Sequence, residues 1–216
     1  MNVDLTWVTP NAEELIVKMA RVSAPSNQDN MDTAPRLLRY LIKHKHWSPF
    51  EMANMCVEIE TTRAISPQIL RHRSFSFQEF SQRYADISDI GSITLPHLRS
   101  QDYKNRQNSN DDLKERLGGE KLAHFYRRMS TILEDSKHLY QEMLSEGVAK
   151  ESARFILPLA TPTRLFMNGT LRSWIHYLQL RCEPGTQLEH REIAETIKRI
   201  FCKQFPIIGE AAFSEG

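Results

Sequence analysis

Between residues 120 and 146 the apolar side chains Leu122, Phe125, Tyr126, Met129, Ile132, Leu133, Tyr140, Met143 and Leu144 recur at helical spacing on one continuous face. Gly147 stands where such a helix would end. A pattern sustained for that length predicts one long helix and makes helices the main material of the fold. Further helices are predicted near 149–157, 170–181 and 187–204, separated by Pro158, Pro162 and the Pro184–Gly185 turn.

Nearer the start of the chain the patterns are shorter. Residues 3–8 alternate enough for a strand, and Asn11 is placed to cap a helix running to about Ser23, with Leu15, Ile16, Met19 and Val22 on its apolar side. Residues 24–32 read as a polar loop. Thr33 and Pro35 start a second helix whose buried stripe is Leu37, Leu38, Leu41 and Ile42. Met55, Val57, Ile59 and Thr61 repeat every second position, the period of a half-buried strand over 54–63. Ser66–Pro67 opens a short helix toward Arg71, because proline fits the first helical position. Residues 97–119 are poor in apolar side chains and end in a glycine pair, which predicts a mobile surface insertion. The fold expected for residues 1–216 is therefore α+β: a single compact domain of long helices packed on a small, mainly antiparallel sheet.

Composition narrows the function classes. The 216 residues carry 28 Lys+Arg against 27 Asp+Glu, a net charge of +1, which argues against a general electrostatic grip on nucleic acid or an anionic membrane. Cys56, Cys182 and Cys202 are an odd number without a CxxC pair, which fits a reducing, cytoplasmic setting and excludes a Cys-rich zinc site. No stretch of about 18 apolar residues is present, and the first ten residues lack the basic-then-apolar pattern of a signal peptide. There is no GxGxxG and no P-loop. His44 and His46 form an HxH pair without an acidic residue at ligand spacing, so no metal site is expected. Glu189–His190–Arg191–Glu192 reads as a solvated, charged helix start.

The unusual segment is Gln68 to Arg83. It holds Arg71, Arg73 and Arg83, His72, three serines and three phenylalanines, and no lysine. Arginine rather than lysine suits a site where a planar fork grips a phosphate or carboxylate in two places. Serine hydroxyls complement phosphate oxygens, and phenylalanine offers a flat surface to a ring. The mixture suits a nucleotide. Two other readings stay open on the residues alone: a solvated edge strand with Arg73, Glu79 and Arg83 paired across it, and an RNA-binding face on which Phe75, Phe77 and Phe80 stack bases.

Arg71–His72–Arg73, seven residues, then Ser81 is the RHR-x7-S pattern, and the chain resembles the flavin-dependent thymidylate synthases over most of its length. Ala20–Arg21–Val22–Ser23, His46–Trp47–Ser48–Pro49–Phe50–Glu51 and Ala153–Arg154–Phe155–Ile156–Leu157–Pro158 resemble three more of that family's segments, in the right order, and Thr170 to Arg181 resembles its penultimate helix. The resemblance implies reductive methylation of dUMP to dTMP, with methylenetetrahydrofolate as carbon donor, FAD as redox carrier and NADPH as reductant. It implies that Gln68, Arg71, Glu79, Phe80, Ser81, Gln82, Arg83, Arg154 and Arg181 surround dUMP, and that Ser48, Arg71, His72, Arg73, Ser74, Arg172 and His176 surround FAD. His46 resembles the histidine beside flavin and folate. Arg181 resembles the arginine that activates the uracil ring, the one catalytic assignment.

Elementary chemistry agrees with these roles. C5 of uracil becomes nucleophilic only when negative charge enters the ring, either through thiolate addition at C6 or through a fixed positive charge held against the imide. Arginine stays protonated and so suits the second route. Cys182 follows Arg181 directly, but helical neighbours point about 100° apart. Ser81 lacks a base at diagnostic spacing, which favours phosphate binding over nucleophilic attack. Arg172 and His176 share one helix face, whereas Arg181 lies nine residues on from Arg172, roughly half a turn around. Flavin-type and dUMP-type residues facing different ways predict a homo-oligomer with shared sites, and the family's tetramer agrees. The alternative from a different class is a non-catalytic nucleotide- or RNA-binding module using residues 71–83.

Overall fold

The computed structural model describes residues 1–214; the domain expected over 1–216 thus extends two residues beyond the described part. A four-stranded antiparallel sheet carries the molecule. Its strands are β1 (Asn2–Val8), β2 (Asn54–Thr62), β3 (Ser76–Glu79) and, far later in the chain, β6 (Pro162–Thr170). The order across the sheet is β1-β2-β6-β3, so the last strand to be made lies between two early ones. β2 and β6 pair without interruption from Asn54 opposite Thr170 to Thr62 opposite Pro162. β1 pairs with β2 through a bulge between Leu5 and Trp7.

The two faces of the sheet divide by the two-residue period of a strand. Met55, Val57 and Ile59 of β2 and Leu165 and Met167 of β6 are fully buried on one face. On the other, Arg164 forms ion pairs with Glu58 at 3.0 Å and Glu60 at 2.9 Å. The buried face is covered by α7 (Leu171–Arg181) and α8 (Leu188–Gln204), with α1 (Ala12–Ala20), α2 (Ala34–Lys43) and α9 (Pro206–Phe213) completing one core. Trp174 on α7 is fully buried there, and its indole N–H donates to the Met55 carbonyl at 2.9 Å.

The expected strands over 3–8 and 54–63 and the short helix α3 (Ser66–Leu70) are present. β6 is absent from the sequence expectation, in which Pro162 only separates two helices; the proline is tolerated because it sits at the strand's first position. α1 ends at Ala20, short of Ser23, and Val22 is 68% exposed instead of on the apolar face. Asn11 stands at the start of α1 but makes no capping side-chain bond; it turns the chain in the left-handed region at φ 51°. Arg21 explains the shortening. Its buried guanidinium donates to the Asn30 carbonyl and, at 2.7 Å, to the Thr33 hydroxyl, so the loop after α1 folds back over it.

Residues 97–119 contain a two-residue hairpin, β4 (Ser100–Gln101) with β5 (Ser109–Asn110), and a short helix α4 (Leu113–Leu117). Arg99 grips the Glu189 carboxylate at the start of α8 through two bonds of 2.7 and 2.9 Å. The long helix α5 (Gly119–Ser145) is present over the predicted span. Gly147, at φ +82°, lets Val148 N–H reach the Met143 carbonyl at 2.9 Å and Gly147 N–H reach Leu144 at 3.1 Å, a Schellman stop. Only Tyr140 among the residues of α5 is buried, where it meets Ile87 and Ala153 of the short helix α6 (Lys150–Ala153). The rest of the apolar face of α5 is only partly covered: Phe125 and Ile132 are exposed and the others half-buried.

Candidate active site

Three groups of the expected site residues form around α7 and the loop 71–75. The first lies on the exposed side of α7. Arg172 is ion-paired with Glu51, and His176 packs against Trp47 with ring centroids 4.9 Å apart. Ser48 begins the 3-10 turn Ser48–Glu51 that carries Glu51, and His46 precedes it. His46 also meets Tyr40 edge-on at 5.8 Å. Burial, and then the Arg172 charge, hold the His176 imidazole below its ordinary pKa, so it faces the site as a neutral ring.

The second group is at the end of α7. The Arg181 Nε–H donates to His72 Nε2 at 2.8 Å. The His72 ring lies edge-on to Tyr177 at 4.8 Å and to Phe75 at 6.5 Å. Burial and then the Arg181 charge lower the His72 pKa to about 4, so the ring is neutral and accepts. Tyr177, nearly fully buried, has its hydroxyl 3.0 Å from Nε2 of His190. His190 is fully buried and its Nδ1 has no partner. This overturns the expectation that residues 189–192 form a solvated helix start. His190 heads the stripe Ile193, Ala194, Ile197 and Phe201, all buried on one side of α8, and that i, i+3, i+4, i+7 spacing was the available signal.

The loop between α3 and β3 is held from below. Phe75 packs on Trp174 at 4.7 Å and on Tyr177 at 5.8 Å, and the Ser173 hydroxyl donates to the Ser74 carbonyl at 3.2 Å. Gly169 of β6 makes room for this, since a Cβ there would meet the Phe75 ring at 2.4 Å. Arg71 and Arg73 flank His72 and are exposed. Among the described residues, Arg71, Arg73 and Arg154 make no ion pair within 4.0 Å. Unneutralised guanidinium groups suit an anionic ligand, and two of these three lie on this loop.

The third group joins α3 to the strands. Gln68 donates to the Gln187 side chain at 2.7 Å. One oxygen of Glu79 accepts from Arg63 at 2.7 Å, Ser66 at 2.5 Å and Thr163 at 2.9 Å, so this carboxylate is a joint between α3, β3 and β6. Phe80 N–H is occupied by the Arg164 carbonyl at 2.8 Å. Gln82 is buried with its amide nitrogen unpartnered, and Arg83 pairs with Glu151 of α6 at 3.2 Å. The Ser81 hydroxyl accepts only a long bond, 3.4 Å, from Arg83 N–H, and no imidazole is placed to activate it. Burial pushes the Cys182 thiol up, the opposite of what a nucleophilic thiolate requires. Among the described residues, no three His, Cys, Asp or Glu side chains converge on a metal position, and no helix is long and apolar enough to cross a membrane.

Arg71, Arg73, Arg154 and Arg181 without carboxylate partners among the described residues, a neutral histidine bonded to one of them and aromatic rings along α7 suit a class of protein that binds a phosphorylated ring compound. The family is narrower. Residues 4–207 match the family model described as thymidylate synthase complementing protein. A relative from Paramecium bursaria Chlorella virus 1 is 51% identical over 201 residues, 93% of this chain and 90% of that protein. The flavin-dependent thymidylate synthase of Synechocystis is 51% identical over 199 residues, 92% of this chain and 88% of that protein. The crystal structure of the UMP/dUMP methylase PolB from Streptomyces cacaoi with 5-Br UMP superposes with a TM-score of 0.83 at 27% identity, covering 97% of this chain and 92% of that one. The chain belongs to the flavin-dependent thymidylate synthase family.

Proposed function

We propose that the chain methylates dUMP to dTMP in the cytoplasm, with methylenetetrahydrofolate as carbon donor, FAD as redox carrier and NADPH as reductant. The observation that carries this reading is Arg181: its guanidinium lies beside a neutral histidine, without a carboxylate partner among the described residues, at the loop that bears Arg71 and Arg73. Such a charge stabilises the electron density that enters the uracil imide as C5 becomes nucleophilic. Arg71, Ser81, Arg83 and Arg154 bind the substrate's phosphate, and Gln68 and Gln82 serve its sugar and base. Glu79 acts by holding α3 against the strands.

The residues fit a flavin. Arg71 and Arg73 offer unpaired charge to a pyrophosphate on the loop that also carries His72 and Ser74, and the Trp47–His176 contact is an aromatic wall next to Ser48 and Arg172. When bound, FAD supplies the redox chemistry that turns the transferred methylene into a methyl group. His46, close to Ser48 in the chain, would lie near the bound flavin, the role that the family resemblance implies for it.

The active unit is a homo-oligomer, a tetramer whose sites draw on more than one subunit. Support comes from α7, which turns Arg172 and His176 one way and Arg181 another, and from the partly open face of α5 with Ile132 and the nearby Phe155 exposed. The test is direct. Purified protein should show flavin absorbance, bind dUMP and form dTMP with folate and NADPH; colourless protein that binds dUMP or RNA without turnover would mark a binding module instead.

A further inference from the structure

We infer that His72 is a positioning residue for Arg181: its imidazole anchors the guanidinium at Nε and leaves both terminal nitrogens for the substrate ring. The inference rests on the reading of Arg181 as the arginine that faces uracil. Arg181 is the last residue of α7, where a long side chain has little packing to direct it. The 2.8 Å bond from its Nε–H to His72 Nε2 supplies the direction. An accepting Nε2 carries no hydrogen, so the ring proton of His72 sits on Nδ1 and the tautomer is set. Within the described residues this is the one side-chain hydrogen bond of Arg181, and it engages the nitrogen least useful for gripping a ligand end-on.

The surroundings of His72 favour this arrangement from each element packed against it. α7 contributes Tyr177 and Arg181, its own loop contributes Phe75, and α8 contributes His190 with ring centroids 6.3 Å away. His190 is fully buried against the Tyr177 hydroxyl, so it stays uncharged. Among the described residues no carboxylate is bonded to His72 or Arg181. A neutral acceptor orients Arg181 without cancelling its charge, which an aspartate or glutamate in the same place would do.

The experiment uses the flavin-loaded oligomer and titrates dUMP by calorimetry into wild type, His72→Leu, His72→Gln and His72→Asn, each also with Arg181→Ala. Loss of one hydrogen bond to a charged group should weaken dUMP binding about tenfold in His72→Leu, with kcat lowered further. His72→Gln, whose amide oxygen reaches the Nε2 position, should restore most of both, while the shorter His72→Asn should not. In the Arg181→Ala background the His72 substitutions should add nothing, since a residue that acts through another loses its effect with that partner. Equal losses with and without Arg181 overturn the inference. So does unchanged dUMP affinity in His72→Leu, whatever happens to bound flavin, since His72 would then serve the cofactor alone. Should His72→Leu not fold, the contrast between His72→Gln and His72→Asn decides alone. Wild-type protein that fails to bind dUMP would sink the function proposed above, not the pairing.

Discussion

Arg181 meets a neutral ring at Nε and, among the described residues, no carboxylate, so no ion pair within the site offsets its charge toward negative charge that a ligand develops beside it. Replacing Arg181 by Ala should lower dTMP formation by about a hundredfold or more, on the scale of losing one oxyanion-type donor, while flavin absorbance per subunit is kept. Turnover and absorbance measured on the same sample check both halves. The two histidines behind it make a second prediction. His190 and His72 have pKa values lowered to about 3 and about 4, mainly by burial, against about 6.5 in an unfolded chain. Between about pH 6.5 and 3 the unfolded chain therefore binds more protons, and stability falls as pH falls through that window. Urea midpoints taken from neutral pH down to about pH 4.5 should decline, and His190→Leu should decline less steeply. An unchanged slope in that variant would remove His190 from the account.

Elements bring these side chains to one place through two small features. Gly169 gives Phe75 the space to sit over Trp174 and Tyr177, and Phe75 in turn holds the loop that carries His72 and Ser74. Gly169→Ala should therefore cost about 1–3 kcal/mol of stability, the usual result of overpacking, and weaken dUMP binding as well. Denaturant unfolding and calorimetry would separate the two effects. Glu79 fastens α3 to β3 and β6 with three donors on one oxygen. Glu79→Ala leaves Arg63, Ser66 and Thr163 without that partner and should cost about 1–3 kcal/mol. Helix patterns were readable at this scale because amphipathic helices write their period into the sequence. α5, α7 and α8 lie close to their expected spans. β6 was not readable: a central strand starting at a proline and ending in Asn-Gly-Thr is stabilised by its two neighbours, not by its own residues.

For the whole molecule the partly open side of α5 and the division of α7 both bear on assembly. Phe155 is 85% exposed and Ile132 58%. Apolar groups of this size gathered on one side favour contact with another copy. Light scattering should find a species several times the 25.1 kDa chain, and Ile132→Glu with Phe155→Glu should shift it toward the monomer and lower turnover. Mixing subunits tests site sharing. Arg181→Ala and Arg83→Ala proteins, each inactive, should recover partial activity when dissociated and reassembled together; no recovery would mean that each site is built from one chain.

By itself the sequence determined the helical framework, the α+β class, the arginine-rich loop and the family. Each of these is local: a period along one helix, or a motif within a few residues, survives being read in one dimension. Only the tertiary structure decided that β6 lies between β2 and β3, that the buried His190 meets the Tyr177 hydroxyl, and that His72, Arg181 and Tyr177 come together. Those outcomes depend on contacts between separate segments, such as His72 and Arg181 at 109 residues apart or β3 and β6, whose paired positions lie 86 to 92 residues apart. A side chain's protonation and direction follow from what is packed against it, and the chain order alone carries no record of that packing.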